Sequence, residues 1–263
     1  MTSRPGQGEV SNQAEGMNEL RKRLVIVPAF NEEKNIGQVV DDILGARLGL
    51  DVVVIDDGSH DRTREIARLH GARVISLPFN LGIGGAVQTG LKFACREGYD
   101  VAIQIDGDGQ HVPSEIPLLL APLQRREADV TIGSRYIGAR RYRTPLMRRA
   151  GMIIFSLVNS ILIGQRITDN TSGFRAFNRR AIEFLSTIYP ADYPEPEAVV
   201  MLGRNGFRLK ELAVEMRPRA SGESSINSLR AIYYMVKVLL AIVMDVFKSY
   251  PRQATGQSEI SVL

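Results

Sequence analysis

Two aspartates separated by one glycine, Asp106 and Asp108 in IQIDGDGQH, follow directly on the apolar run from Val101 to Ile105. Gly107 lets the main chain bend so that both carboxylates point the same way. Carboxylates held together repel, and one of them holds its proton more tightly unless a cation is shared between them. Hard oxygen donors in this pattern suit Mg²⁺ or Mn²⁺, which keep some water and take substrate phosphate oxygens as further ligands. Gln110 offers a neutral oxygen two residues on. His111, next to the acid pair, stays a candidate, whereas His60 and His70 read as surface residues.

Other phosphate-binding patterns fail on spacing. GIGGAV at 82–87 is not GxGxxG, because Val87 stands at the third glycine position, and no GxxxxGK[ST] occurs. HExxH and GxSxG are also missing. The single cysteine, Cys95, rules out an intrachain disulfide and disfavours a cysteine-based zinc site.

The elements that must carry the acids alternate along the chain. LVIVPAF (24–30), DVVVIDDGS (51–59), ARVISL, DVAIQID and DVTIGS read as strands. Between them, NEEKNIGQVVDDIL, DRTREIARLHG, GGAVQTGLKFACREG and PSEIPLLLAPLQRR read as helices, the first with Asn31 as N-cap. Such alternation predicts an α/β fold, a mostly parallel sheet with helices on both faces. Ligands of such sheets bind beyond the carboxyl ends of the strands. Three of those ends, PAFNEE, IDDGS and IDGDGQ, should therefore meet in one cleft. Beyond residue 134 the pattern changes. SRYIGARRYRTPLMRR holds six arginines and no acid, and the amphipathic AGMIIFSLVNSILIG follows. TDNTSGFRAFNRRAIEFL, the DYPEPE turn, a helix to Arg204, a strand near FRLKELAVEM and RPRASGESS should complete the cleft.

The 263 residues carry a net charge of +4, with 44% apolar and 24% charged side chains, which is ordinary for a globular protein and predicts no nucleic-acid partner. Residues 1–20 and 251–263 read as disordered tails around a catalytic domain at 21–225 and an amphipathic interface helix at 226–250. The longest apolar segment, residues 231–247, is interrupted by Lys237 and Asp245 and so does not read as a membrane span.

The ordered set VIVPAFNEEKNI, VVVIDDGSHDRT, NLGIGGAVQTGLKFA, IQIDGDGQHVPSEIP, IGSRY and TDNTSGFRAFNRRAI closely resembles the family-2 glycosyltransferases of the glycosyltransferase-A fold. Within them it is most similar to the dolichol-phosphate mannosyltransferase branch and its bacterial polyprenyl-phosphate relatives, over about residues 24–245. The resemblance implies that Pro28, Phe30 and Glu32 line a nucleotide pocket, and that Ile55, Asp56 and Asp57 hold base and ribose. Asp106, Asp108 and Gln110 match the family's metal positions, for Mg²⁺ or Mn²⁺. Arg135 matches the arginine for the acceptor phosphate, with Arg148 or Arg149 as a second. Arg219, with Gly222 and Ser224, matches a loop over the diphosphate, in which Ser225 replaces the family's lysine. Glu197 falls where the family has a sugar-facing glutamate, and Asp169 is a second sugar contact. Asp108, Arg135, Asp169 and Glu197 form the expected catalytic set.

The expected reaction is inverting transfer of a sugar from a nucleotide-sugar donor to a polyprenyl phosphate. Its place would be the cytosolic membrane face, with attachment to the membrane surface or to a small membrane-spanning partner. Two rivals remain at this point: transfer to a hydroxyl acceptor with Asp169 or Glu197 as base, and a non-catalytic nucleotide-sugar-binding subunit.

Overall fold

The computed structural model describes residues 22–137, 156–191 and 193–217. The expected tails, the interface helix, Arg148, Arg149 and Arg219 lie outside these residues.

The architecture is the expected α/β alternation. Strand β1 (Arg23–Ala29) leads to α1 (Ile36–Gly45), β2 (Asp51–Asp56), α2 (Thr63–Leu69), β3 (Arg73–Ser76), α3 (Gly82–Arg96) and β4 (Val101–Gln104). Then come α4 (Ile116–Gln124), β5 (Val130–Ser134), a helical segment at 156–163 (α5), β6 (Arg175–Asn178), α6 (Arg179–Thr187), α7 (Pro194–Arg204) and β7 (Leu209–Ala213). The strands form one sheet in the order β3-β2-β1-β4-β6-β5-β7. The central strands are apolar on both faces because both are covered. Leu24, Ile26, Val53 and Ile55 pack with α3, α6 and α7, while Val25, Val27 and Val54 pack with α1 and α4.

Two features differ from the sequence reading. Helix α1 starts at Ile36, and Asn31 is not its N-cap but sits in the left-handed region at φ 55°. Its side-chain oxygen accepts from the His60 N–H, and its own N–H donates to Ser59 Oγ. These bonds tie the loop after β1 to the loop after β2, so the helix begins a turn later, its first N–H groups donating to the Glu32 carbonyl. The second difference is β6, a strand within the stretch read as undivided. It runs antiparallel to both β4 and β5, whereas the remaining pairs are parallel.

Strand order reverses between β1 and β4, since the chain winds outward from β1 to β3 and then returns to β1's other side. A crevice opens at such a reversal, and the acid pair stands there.

Candidate active site

A cleft of about 310 Å³ opens beyond the carboxyl ends of β1, β2 and β4, lined by Pro28, Phe30, Glu32, Asp57, Asp106 and Asp108, with the first turns of α3. The three strand ends singled out in the sequence thus meet. Not every side chain expected there reaches it. Ile55 is fully buried in the core beneath α3. Asp56 is buried too, its Oδ1 accepting the Ser59 N–H at 3.1 Å. Asp57 reaches over to α3, accepting the Leu81 N–H at 2.7 Å. Burial pushes its carboxyl up, helped by Asp56, against the main-chain N–H groups of Leu81 and Gly82 that favour the charge.

The acid pair is held from several sides. Asp108 Oδ1 accepts the Gln110 N–H at 3.1 Å, and the Gln110 carbonyl accepts from Arg217. The Asp106 N–H donates to His111 Nδ1 at 3.0 Å, which places that ring's lone pair and leaves a neutral ring's proton on Nε2. Nε2 lies 3.6 Å from Asp106 Oδ2. The His111 ring is buried and stacks on Phe174, with centroids 5.0 Å apart. On the other side, the Asp106 carboxylate lies against Gly173, where an added Cβ would come within 2.6 Å of Oδ1. Only glycine allows that approach without moving the acid. Among the described residues no group of three or more His, Cys, Asp and Glu side chains is gathered to enclose a metal. Two carboxylates on the floor of an open cleft instead fit an ion that shares its remaining positions with water and phosphate oxygens.

Arg135, just past β5, is locked to Asp169. Its Nε donates to Oδ2 at 2.8 Å and its Nη2 to Oδ1 at 2.7 Å, a bidentate pair, and Nη2 also reaches Thr171 Oγ1 at 2.8 Å. Burial works against the guanidinium charge, but the bonds to Asp169 outweigh it and hold Arg135 more firmly cationic than usual, with Asp106 adding to the effect. Asp169 is wholly buried, and its N–H donates to Glu211 of β7. Glu197 is buried in the first turn of α7.

Several polar groups near the acids escaped the sequence reading. Gln104 and Arg175 are fully buried register partners on β4 and β6. Glu195, in the same DYPEPE turn as Glu197, lies within the electrostatic reach of Arg175 and Asp106. A polar residue inside an apolar strand run, as in VAIQID and GFRAF, was the available signal.

The model for "Glycosyl transferase family 2" matches residues 24–185. An undecaprenyl-phosphate mannosyltransferase of Micrococcus luteus is 32% identical, over 78% of this chain and 86% of its own. A UDP-N-acetylglucosamine–dolichyl-phosphate N-acetylglucosaminyltransferase of Methanococcus voltae is 29% identical, over 84% and 97%. Among solved structures, glucosyl-3-phosphoglycerate synthase of Mycobacterium tuberculosis, in complex with Mn²⁺, UDP and phosphoglyceric acid, superposes with a TM-score of 0.68 at 21% identity, over 95% of this chain and 86% of that one. The fold is the glycosyltransferase-A fold, and the chain belongs to glycosyl transferase family 2.

Proposed function

We propose that this chain transfers a sugar, with inversion, from a nucleoside diphosphate sugar to a polyprenyl phosphate at the cytosolic face of a membrane. The observation that carries the reading is the pair Asp106 and Asp108 lining one cleft beyond the strand ends, with Arg135 within the electrostatic reach of Asp106. The polyprenyl- and dolichyl-phosphate transferases among the relatives support it. Mn²⁺ and Mg²⁺ beside UDP in proteins of this fold support a divalent ion. Held by Asp106 and Asp108, with Gln110 beside them, that ion would offset charge on the departing diphosphate.

Nucleotide and diphosphate would lie between Pro28, Phe30, Glu32 and Asp57, and Arg219 is a further candidate to bind the diphosphate. The acceptor's phosphate oxygen attacks the anomeric carbon as the bond to the diphosphate breaks. That oxygen is already anionic, so no base has to take a proton. The role of Asp169 is then to aim Arg135 rather than to accept a proton, since both its oxygens already hold the guanidinium. Nη1 of Arg135 is left to meet the acceptor phosphate, together with Arg148 or Arg149.

Membrane attachment would come from segment 226–250 lying in the interface, directly or through a small spanning partner. Among the described residues no helix is long and apolar enough to cross a membrane. Leu157 and Ile161, one turn apart on α5, are 59% and 71% exposed, which supports apolar contact on that side. The full-length protein should float with anionic vesicles at low salt and be released by high salt, as screening weakens exposed charge contacts. Protein that stays in solution beside such vesicles would move the anchor to a partner subunit.

A further inference from the structure

Behind Asp106, on the sheet face covered by α3, α6 and α7, lies a set of polar groups without partners. Gln104 Oε1 and Nε2, Asn170 Oδ1 and Nδ2, Arg175 Nη1 and the Tyr189 hydroxyl are all buried and make no hydrogen bond. Buried polar atoms are normally paired, and leaving one unpaired is costly. Here four neighbouring side chains share the condition. Gln104 and Arg175 are opposite each other on adjacent strands, and Arg175 Nη2 donates to the Asn170 carbonyl at 3.0 Å. Tyr189 lies within electrostatic reach of Arg175, Glu195 and Asp106. Main chain approaches closely on both sides: Gly173 against Asp106, and Gly84 of α3, where an added Cβ would come within 2.5 Å of the Pro190 carbonyl.

The geometry points to a sugar-reading subsite formed by Gln104, Asn170, Arg175, Tyr189 and Glu195, which selects a neutral hydroxyl-rich hexosyl group over an acidic sugar. This inference rests on the proposed donor site and adds to it the class of sugar.

The atoms left unpaired decide the class. They mix donors (Gln104 Nε2, Asn170 Nδ2, Arg175 Nη1) with acceptors (Gln104 Oε1, Asn170 Oδ1), and a hydroxyl can both give and take whereas a carboxylate only accepts. Arg175 is not arranged as a carboxylate clamp. Its Nε and Nη2 already donate to the Ser172 and Asn170 carbonyls, so the two-pronged grip on an acid is spent and only Nη1 remains. A sugar carboxylate would in addition face Asp106 and Glu195. Burial pushes the Glu195 carboxyl up and Asp106 adds to this, against the pull of Arg175. A hydroxyl between them can accept from Arg175 Nη1 and donate to Glu195.

The test is calorimetric titration of the full-length protein with Mn²⁺, using UDP, GDP, UDP-glucose, GDP-mannose and UDP-glucuronate. The wild type should bind at least one of the two neutral nucleotide sugars tighter than its bare diphosphate, and about tenfold or more tighter than the glucuronate. Gln104→Leu and Glu195→Gln should each cut the preference for that sugar nucleotide over the bare diphosphate by about tenfold, leaving diphosphate affinity in place. Gln104→Leu should keep or raise the melting temperature, because it removes an unpaired buried amide; a merely structural glutamine would lower it. Equal loss of diphosphate and sugar-nucleotide binding in both variants, or a preference for the glucuronate, overturns the subsite. A wild type that binds neither UDP nor GDP with Mn²⁺ overturns the donor site itself and this inference with it.

Discussion

Asp129 and Asp106 stand at opposite ends of one sheet, and their surroundings differ in kind. Asp129, at the amino end of β5, is saturated: it accepts from Asn178 Nδ2 at 2.9 Å, from the Arg208 N–H at 2.9 Å and from Arg208 Nε at 3.2 Å, with Arg180 at 3.5 Å. Those bonds join β5, β6 and β7 at their base. Asp106, past the carboxyl end of β4, has a carboxylate 36% exposed, with the His111 edge and Gly173 beside it, and behind it lie unpaired side-chain atoms of Gln104, Asn170 and Arg175. Charge balanced within the chain stabilises the fold. Charge left for something else to balance marks where a ligand belongs.

The comparison is broken most severely at the acid pair. Asp108→Asn should lower transfer by about 10²–10³-fold or more, since it removes a ligand for the ion that offsets diphosphate charge. Its melting temperature should stay close to the wild type, because asparagine keeps an oxygen that can accept the Gln110 N–H. Initial rates with and without chelator, beside a thermal melt, check both halves.

Arg135→Ala follows. Losing a desolvated charge contact to the acceptor should cost about 2–5 kcal/mol in transfer, with donor affinity little changed. The same change strands the buried Asp169, so the melt should fall as well. Arg135→Ala with Asp169→Asn should recover the melt but not the transfer. Recovery of both would show that the pair serves only the fold.

The saturated end should behave oppositely. Asp129→Asn should cost stability, about 1–3 kcal/mol after allowing for the exposed Arg208, with little effect on turnover of the folded enzyme. Burial would raise the Asp129 pKa, but the bonds from Arg208 and Asn178 hold it below its ordinary value. A carboxylate so depressed contributes stability that is present above its unfolded pKa, roughly 3.9. That contribution is lost as pH falls through the folded value. Denaturant midpoints against pH should therefore drop more below about pH 4 in the wild type than in Asp129→Asn.

Gly173→Ala should act most gently. A methyl group there meets the Asp106 carboxylate and must displace it. The Mn²⁺ concentration for half-maximal rate should rise about tenfold, the scale seen when a ligand loses its supporting contacts. A metal response identical to wild type would show that Asp106 can shift freely.

The site's location was legible because acids at strand ends interrupt an otherwise apolar pattern. PAFNEE, IDDGS and IDGDGQ each end a buried run, and a parallel sheet must bring such ends together. What stayed hidden was set by partners far apart in sequence. Nothing local to Asp169 shows that it will grip Arg135, 34 residues away. Strand β6 is four residues long with a buried arginine in it, so it lacks the apolar period that identifies a strand. The start of α1 was misplaced because Asn31 bonds to Ser59 and His60 across the loops rather than to its own helix.

The central claim is that the unbalanced end of the sheet transfers sugar to a lipid phosphate. Full-length protein should be incubated with Mn²⁺, a panel of nucleotide sugars and polyprenyl phosphate in anionic vesicles, and the organic phase assayed for sugar. The expected result is one glycosyl-phosphate lipid that forms only with metal and disappears in Asp108→Asn. Sugar transfer to a hydroxyl acceptor with none to the lipid phosphate, or lipid product undiminished in excess chelator, would contradict it.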